Sequence, residues 1–597
     1  MRRGQLSLSL ETLRANLMLT RLVIKNLKRL DQANIELGRA VVFVGPNNSG
    51  KTTALQALAL WDLGLKAWVS KRGSRRGARE RTGVTLNRRD LIALPVPDAN
   101  LLWLNRHVRE VQKNNGKQTT QNIMIHITVA GILNGQPWEQ GFEFDYANPE
   151  SIYCRPISEL NDTVLERLAK LAQTVRVAFL PPMSGLASIE PKIEPGRIAV
   201  LVGEGQTAQV LRNLCFGLVS GENNKNAWDH VVARIRELFG IDLQLPEFNA
   251  TRGEIEMRYR SERKIELDIS SAGRGLQQTL LLLSYLYANP GATVLLDEPD
   301  AHLEILRQRE IYDLINRVAR ERGSQIIAAT HSEVVLKQAA GRDTVIAFVG
   351  KPHRINDQGS QLRKALVDIG FEHYMYAEQK GWVLYLEGST DLAILKTLAR
   401  RLAHPAEKTL EEAYVDFVES NTPPTARDRF RGLREAKPDL VGLALFDRLE
   451  QPMDLQNDAN ALIEMTWARR EIESYVATRS ALLAWATRDL DSGDLFDSAE
   501  RQRRSEAMLR SIAELENALK VQNKPDPWGG ELKVSDEFLD PLFKNYLTAL
   551  GFDEAIMRKK SYYELADTIP LEEVSEEIRQ KLDAIVAAAK RAKPSVP

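Results

Sequence analysis

The sequence has very little cysteine, no long apolar run and no net charge. Its two cysteines, Cys154 and Cys215, are far apart in 597 residues, so they indicate neither a disulfide framework nor a zinc site. The longest apolar stretch, residues 280–288, is far shorter than the roughly 20 residues of a membrane-spanning helix. No continuous apolar segment precedes Met18, which argues against a secretory signal. The sequence therefore predicts a cytoplasmic protein with no membrane partner.

Positive charge is concentrated near the start of the chain. Residues 1–120 contain 22 Lys and Arg against 8 Asp and Glu, an excess of +14 that the rest of the chain balances with −14. The densest stretch has glycines between its basic residues, which are Lys71, Arg72, Arg75, Arg76, Arg79, Arg81, Arg88 and Arg89. Clustered arginines neutralise phosphates and release counterions. The stretch is therefore either a contact for DNA or RNA or a solvated loop.

Hydrophobic patterns indicate at least two α/β modules. In the first half, strands at 293–296 and 325–329 flank a helix at 303–322, and this alternation is typical of a mainly parallel sheet with helices on both faces. An alternating run at 19–27 predicts an edge strand, and an Asn134-Gly135 turn predicts a hairpin. A second module begins near residue 376, with strands at 382–386, 414–418 and 441–446. From residue 480 the chain is helix-rich and charged.

A phosphate-binding loop follows the apolar run at residues 40–44. In such a loop, backbone N–H groups wrap the phosphates and the N-terminus of the next helix adds positive charge. Lys51 is expected to reach the β- and γ-phosphates, and the Thr52 hydroxyl to ligate Mg²⁺. The candidate ATP-binding residues are Gly45, Pro46, Asn47, Asn48, Ser49, Gly50, Lys51, Thr52 and Thr53.

Two carboxylates and a histidine end later strands. Asp297 and Glu298 directly follow the strand at 293–296, and His331 follows the strand at 325–329. Asp297 is suited to hold Mg²⁺ through water, and Glu298 to polarise the attacking water. His331 is placed to sense the γ-phosphate.

A turn of small residues precedes the helix that begins near Leu276. Ser271, Gly273 and Gly275 lie in this turn. A small-residue turn at a helix N-terminus is an anion site. It is free to cap the γ-phosphate of ATP held by a partner subunit, or it is a plain helix cap.

With these motifs in order, residues 18 to about 350 resemble the ABC-type ATPase heads of the SMC and RecF class. The segments similar to Walker A, Walker B, the D-loop and a variant signature motif are, respectively, Gly45–Thr52, Leu295–Glu298, Pro299–His302 and Ser271–Gly275. The resemblance implies a homodimer or higher oligomer through the heads, with two ATP molecules sandwiched at the interface.

The second half places carboxylates at predicted strand ends. Because the carboxyl ends of parallel strands meet at one edge of a sheet, these groups are suited to a Mg²⁺ or Mn²⁺ site. Oxygen ligands without His or Cys favour these ions over zinc. The candidate ligands, beside Thr52 and Asp297 in the first half, are Glu387, Asp391, Asp447, Glu450, Glu471 and Glu473.

This second arrangement resembles a TOPRIM catalytic domain. The resemblance implies that Glu387 is a general acid/base and that Asp447 is the first acid of an Asp-x-Asp motif. Leu449 stands where the second aspartate belongs, so either Glu450 replaces it or one ligand is missing. Glu471 and Glu473 lie in a segment that such nucleases often carry.

An ATPase head followed by a TOPRIM domain is the layout of the OLD (overcoming lysogenization defect) nucleases. The resemblance predicts an ABC/SMC-like ATPase domain at 1–375, a TOPRIM-like core at 376–480 and a helical part at 481–597. It implies an ATP-gated, metal-dependent DNA endonuclease in anti-phage defence, acting with an accessory defence protein or a retron-type nucleic acid. The competing hypothesis is a sensor whose inactive TOPRIM-like half docks a partner effector. A transporter ATPase explains the acidic module poorly.

Overall fold

The computed structural model describes residues 17–72, 83–114, 117–158, 161–220, 226–260, 264–355, 371–419, 421–450, 453–490, 495–552 and 557–594. The chain forms two compact units, Met1–Asp357 and Gln358–Pro597. Arg75, Arg76, Arg79 and Arg81 of the basic stretch lie outside the described residues, so their contact with nucleic acid stays a prediction. Within the described ranges, no helix is both long and apolar enough to cross a membrane.

The first unit contains nineteen strands and eight α-helices among its described residues. The strands are β1 (Leu17–Leu27), β2 (Leu30–Glu36), β3 (Ala40–Val44), β4 (Val84–Asn87), β5 (Arg109–Asn114), β6 (Lys117–Asn122), β7 (Ile125–Leu133), β8 (Gln136–Asn148), β9 (Ser151–Pro156), β10 (Val177–Leu180), β11 (Asp242–Leu243), β12 (Glu247–Asn249), β13 (Glu254–Glu256), β14 (Arg258–Arg260), β15 (Glu266–Asp268), β16 (Thr293–Asp297), β17 (Gln325–Thr330), β18 (Thr344–Ala347) and β19 (His353–Arg354). The helices are α1 (Lys51–Arg72), α2 (Asp162–Thr174), α3 (Pro195–Gly203), α4 (Leu211–Ser220), α5 (Ala227–Phe239), α6 (Arg274–Ala288), α7 (Ile305–Arg322) and α8 (Glu333–Ala339).

A mainly parallel sheet positions the predicted nucleotide motifs. Its order is β10-β16-β17-β3-β18-β19, and only the β18–β19 pair is antiparallel. Every residue of β16 and β17 is buried, as expected for strands with helices on both faces. One face packs on α1 and the other on α6 and α7. The predicted strands, the helix between them and the two-faced parallel sheet are confirmed.

A second sheet of the first unit is antiparallel, in the order β2-β1-β7-β8-β9-β4. The predicted edge position of residues 19–27 is wrong, because β1 pairs with β2 on one side and with β7 on the other. The alternating pattern arises from one buried face, on which Leu22 and Ile24 are fully buried, and carries no information on the strand's edges. The Asn134-Gly135 turn is confirmed, since both residues have the positive φ of a tight hairpin turn, 52° and 81°.

The second unit is built on a four-stranded parallel sheet. Its strands are β20 (Trp382–Leu386), β21 (Val415–Phe417), β22 (Val441–Phe446) and β23 (Leu462–Thr466), in the order β21-β20-β22-β23. The sequence reasoning missed β23, a five-residue strand interrupted by Glu464. Its helices are α9 (Phe371–Lys380), α10 (Ser389–Arg401), α11 (Ala406–Glu412), α12 (Pro423–Ala436), α13 (Arg479–Ala486), α14 (Leu495–Val521), α15 (Asp540–Leu550), α16 (Tyr563–Thr568) and α17 (Glu576–Arg591).

The helices after residue 480 share one hydrophobic core with this sheet. The core extends from Trp382 in β20 to Ala588 in α17. The predicted segment 481–597 therefore packs within the second unit. The predicted boundary between 375 and 376 falls inside α9, which belongs to the second unit.

Candidate functional site

The predicted phosphate-binding loop joins the carboxyl end of β3 to the first residue of α1. Asn48 and Gly50 have positive φ values of 63° and 102°, so the loop curls tightly. The Lys51 Nζ donates to the carbonyl oxygens of Gly45 and Pro46, each at 2.8 Å. Burial lowers the pKa of Lys51. The lysine thus lies folded over the loop, where a phosphate could replace the two carbonyl oxygens.

Thr52 and Asp297 meet beside this loop. The Thr52 Oγ1 donates to the Asp297 carboxylate, at 3.1 Å from Oδ1 and 2.9 Å from Oδ2. Burial raises the pKa of Asp297 to about 6, and neighbouring Glu298 adds to the rise. The structure therefore brings together the two residues predicted to hold Mg²⁺, and a cation there would offset the buried negative charge.

Glu298 and His331 form the next pair along the sheet edge. The His331 Nδ1 lies 3.5 Å from the Glu298 Oε1. Glu298 has a φ of 49°, and its backbone N–H donates to the Ala329 oxygen at 2.8 Å. A non-glycine residue in the left-handed region is strained. The hydrogen bond to Ala329 joins the ends of β16 and β17 and offsets this strain. In the resulting conformation the Glu298 carboxylate lies beside His331.

The predicted signature turn is fixed by side chains of its own segment. The Gln277 Nε2 donates to the backbone oxygens of Ile269, Ser270 and Ala272, at 3.0–3.3 Å. Gly273 precedes α6 and provides no side-chain cap. The first N–H groups of α6 therefore have no capping side chain, which is the feature of an anion site.

A buried arginine holds Asp268, the residue that begins this turn. The Arg212 Nη2 donates to the Asp268 Oδ1 at 2.7 Å, and its Nη1 to the Ser188 oxygen at 3.0 Å. The same Asp268 oxygen accepts from the Ser270 N–H at 2.8 Å. Glu190 accepts from the Arg212 N–H at 2.9 Å and is itself buried. The signature turn is thus tied into the core through Arg212.

We expect Arg212→Met to destabilise the protein by about 2–4 kcal/mol, because it removes the buried side chain that joins Asp268 to the Ser188 oxygen and the positive charge that offsets buried Glu190. The arginine side chain is only 2% exposed. Chemical denaturation of the full chain measures the cost. Arg236→Met is the matched control, since Arg236 is 62% exposed and pairs with Asp242, and it should cost no more than about 1 kcal/mol. Equal costs for the two variants would contradict the role of Arg212.

In the second unit, the sheet brings Glu387 and Asp447 to one edge. They directly follow the neighbouring parallel strands β20 and β22. Both line a cleft of about 510 Å³ together with Glu471 and Glu450. Glu471 accepts from the N–H and hydroxyl of Ser535, the hydroxyl at 2.8 Å. The predicted convergence of carboxylates is therefore present.

The cleft carboxylates repel one another. Burial, together with the carboxylates of Asp391, Glu387 and Glu471, raises the pKa of Asp447 to about 8. Burial likewise raises the pKa of Asp391 to about 6 and that of Glu473 well above its usual range. These groups form an acidic centre whose charge is offset only in part, by Lys559.

The predicted ligands differ in how they are placed. Asp391 accepts from the Gly388 N–H at 3.0 Å, and Glu473 is buried behind the cleft at 3% exposure. Glu450 is turned outward: its carboxylate is 78% exposed and lies 2.8 Å from the Arg470 Nη2. Glu450 therefore does not replace the missing second aspartate in this arrangement.

Two lysines near the carboxylates were missed by the sequence reasoning. Lys533 lines the cleft, and the charge of Lys559 lowers the pKa of Asp447 and of Glu471. Both follow residue 530 in ordinary charged sequence, so only folding brings them to β20 and β22.

The acidic centre fits a divalent cation in part. The Glu387 Oε2 is buried and has no hydrogen-bond partner, and a cation would compensate it. Yet no three His, Cys, Asp or Glu side chains within the described ranges are already arranged as metal ligands. Mg²⁺ is commonly held by one or two carboxylates and several waters. Glu387 and Asp447 are the residues suited to hold it.

We expect Asp447→Asn to stabilise the second unit more at pH 8 than at pH 5. Because the pKa is raised from 3.8 to about 8 in the folded chain, the wild type loses stability as the pH rises between those values, and loses no more above pH 8. The stability difference between variant and wild type should widen by up to about 4 kcal/mol over the three pH units, at 1.36 kcal/mol each. Urea unfolding at both pH values measures it.

Exposed Asp428→Asn is the control for this pH series, because Asp428 is 79% exposed and its removal should leave the pH dependence unchanged. A constant difference between Asp447→Asn and wild type at both pH values would contradict the raised pKa.

Two protein-family profiles match parts of the first unit. Residues 216–337 match "AAA domain, putative AbiEii toxin, Type IV TA system", and residues 18–63 match "AAA ATPase domain". The matched ranges include the phosphate-binding loop, the signature turn and the Asp297–His331 segment. Both profiles describe ATPase domains, so the first unit contains an ATPase domain. The chain is thus an ATP-hydrolysing enzyme. No curated protein matches the sequence.

Solved structures similar to this chain include two SMC heads and an ATP-binding cassette. An Smc head bound to the C-terminal winged-helix domain of ScpA is 17% identical, covers 57% of this chain and 98% of its own, and has a TM-score of 0.33. The SMC head domain from Thermotoga maritima is 14% identical, covers 57% of this chain and 99% of its own, and has a TM-score of 0.31. A dimeric ATP-binding cassette protein bound to ADP and Pi is 13% identical, covers 57% of this chain and 99% of its own, and has a TM-score of 0.27. Similarities this low carry no inference about function.

Proposed function

We propose that this ATPase is a divalent-metal-dependent DNA endonuclease gated by ATP, of the TOPRIM-containing OLD type. The observation that carries the proposal is the pair of carboxylates, Glu387 and Asp447, at the carboxyl ends of adjacent parallel strands. The charge of Asp447 is offset only in part, by Lys559, and the Glu387 Oε2 has no hydrogen-bond partner. Buried carboxylates with raised pKa values lower the free energy of unfolding at neutral pH, so this centre does not stabilise the fold.

The residues of the cleft have distinct roles in this proposal. Asp447 and Glu387 hold the cation, and Glu387 accepts the proton of the attacking water. When bound, Mg²⁺ or Mn²⁺ supplies a lowered pKa for that water and charge stabilisation of the leaving oxygen. Ser535 fixes the orientation of Glu471, so this third carboxylate is held at the same site.

The ATPase unit supplies the gate. ATP would bind at the loop Gly45–Thr53, and Thr52 and Asp297 are the residues that would hold its Mg²⁺. Ser271, Gly273 and Gly275 of a second copy would cap its γ-phosphate, so that ATP joins two heads into a dimer. DNA would contact the basic N-terminal region and be cut in the cleft of the second unit, and two clefts in one dimer would cut both strands.

A role in defence against phage agrees with this activity. One matching profile is described as a putative AbiEii toxin of a type IV toxin–antitoxin system. A nuclease switched by ATP suits a toxin that must remain silent until it is triggered.

The experiment that tests the proposal is cleavage of supercoiled plasmid by the full chain with Mn²⁺ or Mg²⁺, in the presence and absence of ATP. We expect nicked and linear products with metal, none with a chelator, and recovery when the metal is restored. A second readout does not depend on activity: Mn²⁺ at pH 8 should stabilise the wild type against urea and leave Asp447→Asn unaffected. No cleavage under any metal condition would overturn the proposal.

The second candidate is an ATP-switched sensor whose second unit docks a partner. It is favoured by the side-chain arrangement, since no described group of three ligands is set for a metal ion and Glu450 is held by Arg470. Failure of Mn²⁺ to stabilise the wild type, together with intact ATP hydrolysis, would support this candidate.

A further inference from the structure

Three basic side chains line the acidic cleft, and each is held by a carboxylate. The pairs are Arg448 with Glu531 at 2.6 and 2.7 Å, Arg470 with Glu450 at 2.8 Å, and Lys533 with Asp536 at 2.6 Å. The Arg448 pair is bidentate, with both Nη atoms on the two oxygens of Glu531. Planar guanidinium groups bind phosphate in the same two-point manner as carboxylate.

The carboxylates of the two arginine pairs are exposed and therefore easily exchanged. The side chains of Glu531 and Glu450 are 61% and 78% exposed, whereas Arg448 and Arg470 are 31% and 30% exposed. An ion pair whose acid is so hydrated adds little to stability. Because these two ion pairs contribute so little stability, a phosphate group can readily replace the glutamate in each of them.

The two arginines are fixed next to each other and next to the acidic centre. The backbone N–H of Arg448 donates to the backbone oxygen of Arg470 at 3.1 Å, and the backbone N–H of Arg470 donates to the backbone oxygen of Gly530 at 2.8 Å. Arg448 directly follows Asp447, and Arg470 directly precedes Glu471. A strand whose scissile phosphate lies at the carboxylates would therefore bring its flanking phosphates to these guanidinium groups.

We propose that Arg448 and Arg470 form a binding subsite for the phosphodiester backbone of nucleic acid, held closed by Glu531 and Glu450. The substrate class rests on the proposed nuclease function. Entry of a strand exchanges each carboxylate for a phosphate oxygen, and the released glutamates return to solvent. Glu450 is then a competitor of the substrate and no metal ligand.

The test is the affinity of the full chain for a fluorescein-labelled DNA duplex, measured by anisotropy with EDTA present so that no strand is cut. Arg448→Gln and Arg470→Gln should each weaken binding and reduce the slope of log K against log salt by about one. Glu450→Gln and Glu531→Gln should tighten binding by up to about fivefold, because each removes an internal competitor. Single-stranded RNA and inorganic phosphate serve as further probes, to separate backbone binding from binding of free phosphate.

Asp567→Asn is the matched control. Asp567 is 53% exposed and pairs with Arg400 at 2.9 Å, and neither lines the cleft. This variant removes the same charge and should leave the affinity unchanged. Tightening equal to that of Glu450→Gln would show a general charge effect and overturn the subsite.

The outcomes also separate the subsite from the nuclease proposal. If the variants change DNA affinity as described but the wild type does not cleave DNA in Mn²⁺, the subsite proposal stands and the nuclease proposal is rejected. Cleavage with unchanged affinity in all four cleft variants would reject the subsite alone. Weaker metal-dependent stabilisation of Glu450→Gln, with unaltered affinity, would make Glu450 a ligand and also reject the subsite. Absence of any nucleic-acid binding by the wild type would reject it as well.

Discussion

Glu298→Gln should slow ATP hydrolysis by about 10²- to 10⁴-fold while leaving ATP binding intact, because it removes the carboxylate that we propose as the base polarising the attacking water. The Gln side chain keeps the size and the neighbouring His331, which lies 3.5 Å from the carboxylate. Lys51, Thr52 and Asp297 remain in place to bind MgATP. Hydrolysis under saturating ATP and binding of a fluorescent ATP analogue measure the two effects separately.

The same variant should accumulate an ATP-bound dimer. If hydrolysis separates the heads, its loss leaves both nucleotides sandwiched, and light scattering should report twice the monomer mass only when ATP is added. If Glu298→Gln stays monomeric at saturating ATP, the dimer proposal is wrong, whereas the proposed catalytic role of Glu298 is not affected.

Glu304→Gln is the control for Glu298→Gln. Glu304 precedes α7, is exposed and makes no side-chain cap, so the same loss of charge should leave hydrolysis near the wild-type rate. If this variant were as slow as Glu298→Gln, the effect would come from local charge and the assignment of the base would be wrong.

Asp447→Asn should reduce metal-dependent DNA cleavage by at least about 100-fold, because removing a direct metal ligand should cost no less than the upper end of the roughly 10- to 100-fold loss typical of residues that only contact a ligand. The amide keeps the shape of the side chain but carries no charge with which to hold a cation. ATP hydrolysis should continue at the wild-type rate, because the ATPase motifs belong to the first unit. Plasmid cleavage and phosphate release from one preparation compare the two activities directly.

Exposed Asp428→Asn in α12 is the matched control for the loss of cleavage, since it makes the same substitution in the same unit at 79% exposure. Retained cleavage in Asp447→Asn would remove the cation site from the mechanism. Lost cleavage together with lost ATPase activity would instead indicate a folding defect, which the urea unfolding curves of the two variants would reveal.

Much of the ATPase half was predictable because its determinants are local. The loop at Gly45–Thr52 needs only a buried strand before it and a helix after it, and both are evident in short windows of sequence. Asp297 and His331 follow strands that the apolar runs define, and parallel strands must end at one edge. The prediction failed at β1, whose two hydrogen-bonded neighbours lie elsewhere in the chain.

The acidic half shows where sequence reasoning stops. The strand ends at Glu387 and Asp447 follow from periodicity, and their meeting follows from β20 and β22 being neighbours. The outward orientation of Glu450 does not follow from periodicity. It depends on an ion pair with Arg470, twenty residues away in sequence, whose Nη2 lies 2.8 Å from the Glu450 Oε1. Ser535 bonds Glu471 from helical sequence in which no motif distinguishes it.

Short-range patterns in the sequence are enough to propose the candidate residues and to place them at strand ends. Which charges have partners depends on the fold, which leaves Asp447 among other carboxylates and gives Arg448 and Arg470 their acidic partners. The interaction of charges depends on distance and burial, and both are set by contacts between residues far apart in the chain.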